Sequence, residues 1–229
     1  MYKKLGILGG MGPLATYTLY KNLIESSPAK KDQDYIDMVI LNASYIPDRT
    51  NGILHGGESP LPALFDALKS LEKLNCDLIS VPCNTSHYFY DELQENCKIR
   101  ILNMVDLTAE KLENLGVKSV FVMATEGTIK TGVYEKYFSR RNINILLASE
   151  EEIFEMMRVI YEIKSGKKPD TSKLYDIAER KQKLGCEKII LGCTELSTEN
   201  GKIEKLDSLD LLDAMEILKD KILELFNII

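Results

Sequence analysis

An aliphatic run that closes on a cysteine is written twice in this chain, and that repeat constrains the fold more than any other feature. Asp77-Leu78-Ile79-Ser80-Val81-Pro82-Cys83-Asn84-Thr85 is echoed by Glu187-Lys188-Ile189-Ile190-Leu191-Gly192-Cys193-Thr194-Glu195, with the two cysteines 110 residues apart in a chain of 229. In each copy an acidic residue precedes the run, a small or kinked residue ends it, and a polar residue follows the cysteine. An offset near half the length points to two related halves facing each other. Around the repeat, short β-branched or aliphatic runs alternate with helical periodicity, the pattern of βα units and parallel sheets. The expected fold class is therefore α/β: two pseudo-symmetric α/β domains, each a mainly parallel sheet flanked by helices, with the active site in the cleft between them. Residues 1–102, joined by a returning C-terminal helix in 210–229, are expected to form one domain, and 103–209 the other.

Strands are expected at Lys4–Leu8, Met38–Asn42, Leu78–Val81, Ile99–Leu102, Ser119–Met123, Ile143–Leu147, Lys188–Leu191 and, weakest in pattern, near Ile203–Leu206. Helices are expected to begin near Pro13 and Pro60 and to cover Ser86–Asn96, Val105–Leu115, Val133–Arg141, Glu151–Ser165, Thr171–Leu184 and Leu211–Phe226. Gly116 and Gly185 fall where helices should end in a left-handed residue. Ala43–Ser59 reads as a long irregular loop. Loops of that length in compact α/β proteins usually carry function, so it is expected to be a lid or a pocket wall.

Composition narrows the function. The formal charge of −6 and the absence of a basic run with interleaved aromatics argue against a nucleic-acid partner. No apolar run is long enough to span a bilayer and the first residues lead directly into a strand, so no membrane role and a cytoplasmic location are expected. Five cysteines, an odd number with no CxxC pair, leave each to be judged as packing or as chemistry. Cys76 and Cys186 precede strands and Cys97 closes a helix; these read as structural, as most buried cysteines are.

Cys83 and Cys193 are different. Both fall at the carboxyl ends of strands, where open α/β sheets bind ligands. A helix beginning just after each would stabilise thiolate and bring its pKa below the free value of about 8.5. Matched contexts in two halves put one thiol on each side of a shared cleft. That arrangement suits taking a proton from one face of a carbon and returning one to the other, as racemisation or epimerisation requires.

Gly6-Ile7-Leu8-Gly9-Gly10-Met11-Gly12-Pro13, Pro82-Cys83-Asn84-Thr85-Ser86-His87, Ala124-Thr125-Glu126-Gly127-Thr128 and Gly192-Cys193-Thr194-Glu195-Leu196 together resemble the successive motifs of the aspartate/glutamate racemase family. The resemblance spans nearly the whole chain, with aspartate racemase the nearest pattern. It implies two α/β domains with the active site between them, a homodimer, and no pyridoxal phosphate, other cofactor or metal. Near the C-terminus the chain departs from the family: Asp207-Ser208-Leu209-Asp210-Leu211-Leu212 stands where relatives often carry His after an Asp-Thr-Thr-like stretch.

Cα–H removal places charge on the α-carboxylate, so fixed donors are needed there. Asn84, Thr85 and Thr194 follow the cysteines, and Thr125 and Thr128 flank Gly127 after a strand; each is also an ordinary helix-capping or turn residue. Arg49 in the long loop is the candidate for a second carboxylate, because its planar fork pairs two oxygens. By the resemblance Lys164 joins it, which favours aspartate as substrate. Met11, after the double glycine, is expected to bring the N-terminal loop to the substrate. His87 and Glu195 are candidates for tuning the cysteines.

Other readings stay open at this stage. Within the same superfamily these are glutamate racemase or another Cys-pair decarboxylase or isomerase. From a different class comes a non-enzymatic acidic amino-acid binding protein, which would need Arg49 but not both thiols. Gly10-Met11-Gly12-Pro13-Leu14-Ala15 fits GxGxxA after a strand, yet the second strand lacks an acidic residue for ribose. A zinc site from Cys83, His87 and Cys193 is conceivable in a chain with two histidines, and GxSxG hydrolase chemistry lacks its motif.

Overall fold

The computed structural model describes residues 2–203 and 208–228. Within them lie the strands β1 (Lys4–Gly9), β2 (Asp37–Asn42), β3 (Leu78–Ser80), β4 (Arg100–Ile101), β5 (Ser119–Met123), β6 (Asn144–Ile145), β7 (Lys188–Leu191) and β8 (Leu211–Asp213). The helices are α1 (Pro13–Glu25), α2 (Arg49–Leu54), α3 (Leu61–Lys73), α4 (Tyr90–Glu95), α5 (Met104–Asn114), α6 (Glu126–Lys130), α7 (Glu135–Phe138), α8 (Glu150–Lys164), α9 (Ser172–Lys183) and α10 (Ala214–Leu225). One sheet runs β2-β1-β3-β4 and the other β6-β5-β7-β8, and every pairing is parallel. The second sheet thus repeats the order of the first, as the duplicated text implies.

Near-continuous aliphatic runs form the central strands because helices cover both of their faces. Leu5, Ile7 and Leu8 of β1 and Val120 and Phe121 of β5 are fully buried. On the outer side of the first sheet, Leu64, Leu68 and Leu71 of α3 pack against Leu8 and Ile79, the apolar stripe recurring at helical spacing. Ile153, Val159 and Ile160 of α8 do the same for Phe121 and Ile189 in the second. Between the sheets lies one shared core. Here α5, which follows the first sheet, packs against α7 of the second half, while α10, which follows the second sheet, packs against α1 of the first. This exchange of helices joins the halves.

The duplication extends to backbone detail. α3 and α9 both give way to a left-handed residue, Asn75 (φ 53°) and Gly185 (φ 94°). A buried cysteine follows each, Cys76 and Cys186, and then a carboxylate that receives amides at the edge of the neighbouring strand. Asp77 accepts from the Lys3 and Lys4 amides, and Glu187 from the Lys118 amide. Burial pushes both thiols up, that of Cys186 to about 11, so these cysteines are packing residues.

Several expectations need correction. The eighth strand lies at Leu211–Asp213, where a helix was expected to begin, and pairs Ile189 with Leu211 and Ile190 with Leu212. Two adjacent leucines fit either period, so the pattern alone does not separate strand from helix. Of the strand expected near Ile203–Leu206, Ile203 is buried outside any strand and 204–206 lie outside the described residues. The long loop contains α2, capped by Asp48, whose side chain accepts from the Asn51 amide. The helix expected at Ser86–Asn96 begins as a 3-10 turn, Thr85–Phe89, before α4. We propose the two-part division of the chain with its return crossing after β8 instead of at 210, since β8 pairs with β7 while α10 packs on α1. Among the described residues no helix is long and apolar enough to cross a membrane.

Candidate active site

In each sheet the chain leaves the first strand in one direction and the third in the other, which opens a crevice at their carboxyl ends. The two crevices face each other. Cys83 and Asn84 follow β3, Met11 follows β1, Thr125 follows β5, and Cys193 and Thr194 follow β7. Both cysteines line one nearly closed pocket together with Met11, Arg49, Asn84, Thr85, Thr125, Lys164 and Thr194. Thr128 is the one expected substrate contact outside this lining. It sits behind Thr85 and Thr125, and the three hydroxyl oxygens stand 2.9, 2.9 and 3.1 Å from one another across the halves.

Cys193 is held in a charged cluster. Its thiol donates to Glu195 Oε2 at 3.0 Å. The other carboxylate oxygen accepts from the Gly12 amide at 3.1 Å and forms a short ion pair with Lys164. Burial and then the Glu195 carboxylate push the Cys193 thiol well above its usual range, with Lys164 opposing them. Burial works against charge on Lys164, but Glu195, followed by the sulfurs of Cys193 and Cys83, holds its pKa above the ordinary lysine value. The expectation of a helix-activated thiolate is therefore wrong for Cys193. Residues 194–197 form turns and not a helix, so no macrodipole offsets the burial.

Cys83 has a different setting. The 3-10 helix after it is short, and among the described residues no acceptor lies within hydrogen-bonding reach of its thiol. His87 holds the turn and not the sulfur. Its Nδ1 donates to the Cys83 carbonyl at 2.9 Å, and its Nε2 accepts from the Met104 amide at 3.2 Å, the tautomer being assigned from these partners. Burial pushes His87 below its ordinary value, so the ring is neutral. With both nitrogens engaged by backbone, it is not arranged as a zinc ligand. At the start of α1 the Gly12 amide donates to Glu195 Oε1 at 3.1 Å, so an N–H that a dinucleotide phosphate would use is already taken by a carboxylate.

Two of the residues that line the pocket carry an unused donor. The Asn84 Nδ2 and Arg49 Nε are buried with no hydrogen-bond partner. Arg49 is 7% exposed and rigidly held: its terminal nitrogens donate to the carbonyls of Ile46, Pro47 and Met11. Its fork is engaged by backbone in this state, which leaves Nε. The long loop forms a wall that is tied to the opposite half: Tyr161 donates to Asp48 at 2.9 Å, and His55 lies 2.9 Å from Glu126.

The model of the Asp/Glu/hydantoin racemase family matches residues 8–221. The chain belongs to that family. It is similar throughout to the aspartate racemase of Picrophilus torridus, with 30% identity, a TM-score of 0.84, and coverage of 98% of this chain and 94% of that one. An aspartate racemase homologue from Pyrococcus horikoshii matches at 29% identity and a TM-score of 0.77 over 98% of this chain and 99% of that one. In sequence, the broad specificity amino-acid racemase RacX of Bacillus subtilis (strain 168) is 33% identical over 138 residues, 58% of this chain and 59% of that protein. The match therefore spans less than two thirds of that relative. Racemases are isomerases, and the two-sheet architecture described above is that of the family.

Sequence reasoning missed Asp48, Thr50 and Tyr161 as pocket residues and Tyr134 behind them. Tyr161 was within reach, being three positions before Lys164 and so on the same face of α8. Nothing in the pattern marked Tyr134.

Proposed function

We propose that the chain racemises an acidic amino acid, aspartate before glutamate, by a two-base mechanism without a cofactor. The observation that carries this reading is the pairing of Cys83 and Cys193, from corresponding turns of the two halves, in one closed pocket with unpartnered donors from Asn84 and Arg49. In this mechanism one sulfur, as thiolate, takes the Cα proton while the bond electrons pass into the carboxylate as an enediolate. The opposite thiol then gives its proton to Cα from the other face. The charges and protons balance with the roles of the sulfurs exchanged. Asn84 Nδ2, with Thr85, Thr125 and Thr194, would hold the α-carboxylate, and Arg49 and Lys164 the second one.

One observation favours a second reading, racemisation of neutral amino acids. Lys164 is already paired with Glu195, and the terminal nitrogens of Arg49 are bound by carbonyls, so part of the cationic capacity is engaged. Incubation with L-aspartate, L-glutamate and L-alanine in deuterated water, followed by chiral analysis, decides. Cα deuteration and D-product with aspartate in first place is expected, with no added cofactor. Arg49→Ala removes a charge-assisted hydrogen bond to the second carboxylate, so it should lower kcat/KM for aspartate about a hundredfold and alanine turnover far less. Equal losses on both would overturn the acidic-substrate reading, and alanine in first place would support the neutral one.

A further inference from the structure

Tyr134 stands in the turn between α6 and α7 and is 1% exposed, one of the largest side chains wholly inside the protein. Its hydroxyl donates across the halves to Asn84 Oδ1 at 2.7 Å. Its ring meets Phe138 edge-on at 5.1 Å and lies against Gly192, where a Cβ would come within 3.2 Å of the ring and 2.6 Å of Val122. One side chain thus touches both the residue after Cys83 and the residue before Cys193. The two turns are tied a second time by Thr194, whose hydroxyl donates to the Pro82 carbonyl at 3.1 Å.

A side-chain amide fits its site in two ways, with oxygen or nitrogen inward, and the two differ only in hydrogen bonding. A pocket that receives a carboxylate needs the N–H. The phenol has one proton and is buried, so leaving it without an acceptor is costly. Asn84 Oδ1 is that acceptor. Turning the amide over would set an N–H against the phenol in place of that acceptor, leaving the phenol only the Thr108 hydroxyl beside it, and would aim a carbonyl oxygen at the substrate's own oxygens. In the observed orientation the Oδ1 is engaged and Nδ2 is left buried and unpartnered at the pocket wall.

We propose that Tyr134 is a positioning residue for the substrate carboxylate: its hydroxyl holds the Asn84 amide with Nδ2 turned into the pocket. The inference rests on the racemase reading above. Because the donor is aimed where charge grows during proton removal, its loss acts on kcat more than on KM.

The test is Tyr134→Phe in the full chain, assayed with the amino acid that the wild type turns over best. A fall in kcat/KM of about tenfold or more is expected, most of it in kcat. In an Asn84→Ala background the same substitution should cost no more than about twofold, because the two groups act as one unit. Equal losses in both backgrounds would mean that Tyr134 only supports the fold, and an undiminished Tyr134→Phe enzyme would mean that the amide needs no anchor; either overturns the proposal. A second readout needs no turnover. The Asn84 side-chain amide resonance, identified by its disappearance in Asn84→Ala, should move in Tyr134→Phe, and an unmoved resonance overturns the proposal. A wild-type chain that exchanges the Cα hydrogen of no amino acid overturns the racemase reading instead, while the resonance still decides how the amide is held.

Discussion

The turns carrying Cys83 and Cys193 follow one pattern in sequence yet give their sulfurs different neighbours. Two positions after Cys193 stands Glu195, whose carboxylate accepts the thiol proton and is held in turn by Lys164 and the Gly12 amide. Two positions after Cys83 stands Thr85, whose hydroxyl is taken up by Thr125 and Thr128. A fixed anion bonded to one sulfur, and at the corresponding position of the other turn a neutral hydroxyl that bonds elsewhere, break the symmetry of the pair. Near neutral pH, Cys193 therefore rests protonated, which in the proposed mechanism makes it the acid. Lys164 lies close enough to feel both sulfurs, so it stabilises whichever one carries charge. A reversible racemase has to work in both directions, but its free state need not treat the two directions alike.

The largest expected effect tests whether the pair acts as a pair at all. Cys83→Ser and Cys193→Ser should each lower racemisation about a thousandfold or more, the scale of a missing acid or base, read as D-product formed in deuterated water. Turnover retained in either variant ends the two-thiol reading. A smaller effect sharpens the contrast between the turns. Glu195→Gln keeps the side-chain shape but removes the anion that, after burial, raises the Cys193 thiol. The limb of the pH–rate profile that belongs to Cys193 should then move to lower pH, with activity near neutrality reduced about tenfold. Thr85→Ser, its counterpart in the other turn, should leave that limb in place. If Glu195→Gln does not move it, the carboxylate holds the turn in place without setting the proton.

Much of this was legible in the sequence, because it depends on local pattern. The duplicated text gave the two sheets, their parallel strands and the pairing of Cys83 with Cys193, since a βα unit's strand and the turn after it are read from neighbouring residues. Arg49 and Lys164 were found through residue type and resemblance, and both line the pocket. What was not legible depends on tertiary contact. The direction of the Cys193 shift comes from burial and from the orientation of Glu195, not from a helix start after the cysteine. The engagement of Arg49 by three carbonyls and the tie from Tyr134 to Asn84 join residues whose spacing carries no period. Leu211–Asp213 failed for another reason: three residues are too few for either period to declare itself.

The smallest expected effect concerns how each half starts the helix that it lends to the other. Asn103 and Asp213 are 110 residues apart and cap α5 and α10. Asn103 is neutral and accepts from the Val105 and Asp106 amides. Asp213 accepts from the Met215 amide at 2.8 Å and from Ser197, in the Cys193 turn, at 2.7 Å. Both bonds use Oδ1, so an asparagine there keeps them. Burial pushes the Asp213 carboxyl up to about 6, with those two hydrogen bonds opposing it. Its folded pKa thus lies above the unfolded value of about 3.9, so its stabilising contribution is complete below the unfolded value and disappears as pH rises through about 6. Asp213→Asn gives the second half the neutral cap of the first and should be the more stable near neutrality, by about 3 kcal/mol. Melting curves of wild type and variant should run together below about pH 4, draw apart between about pH 4 and 6 and stay apart above it, because over that interval the unfolded wild type ionises Asp213 while the folded protein resists doing so. Parallel curves across that interval would mean that the Asp213 carboxylate is accommodated as well in the folded protein as in water, and that the two caps differ in name only.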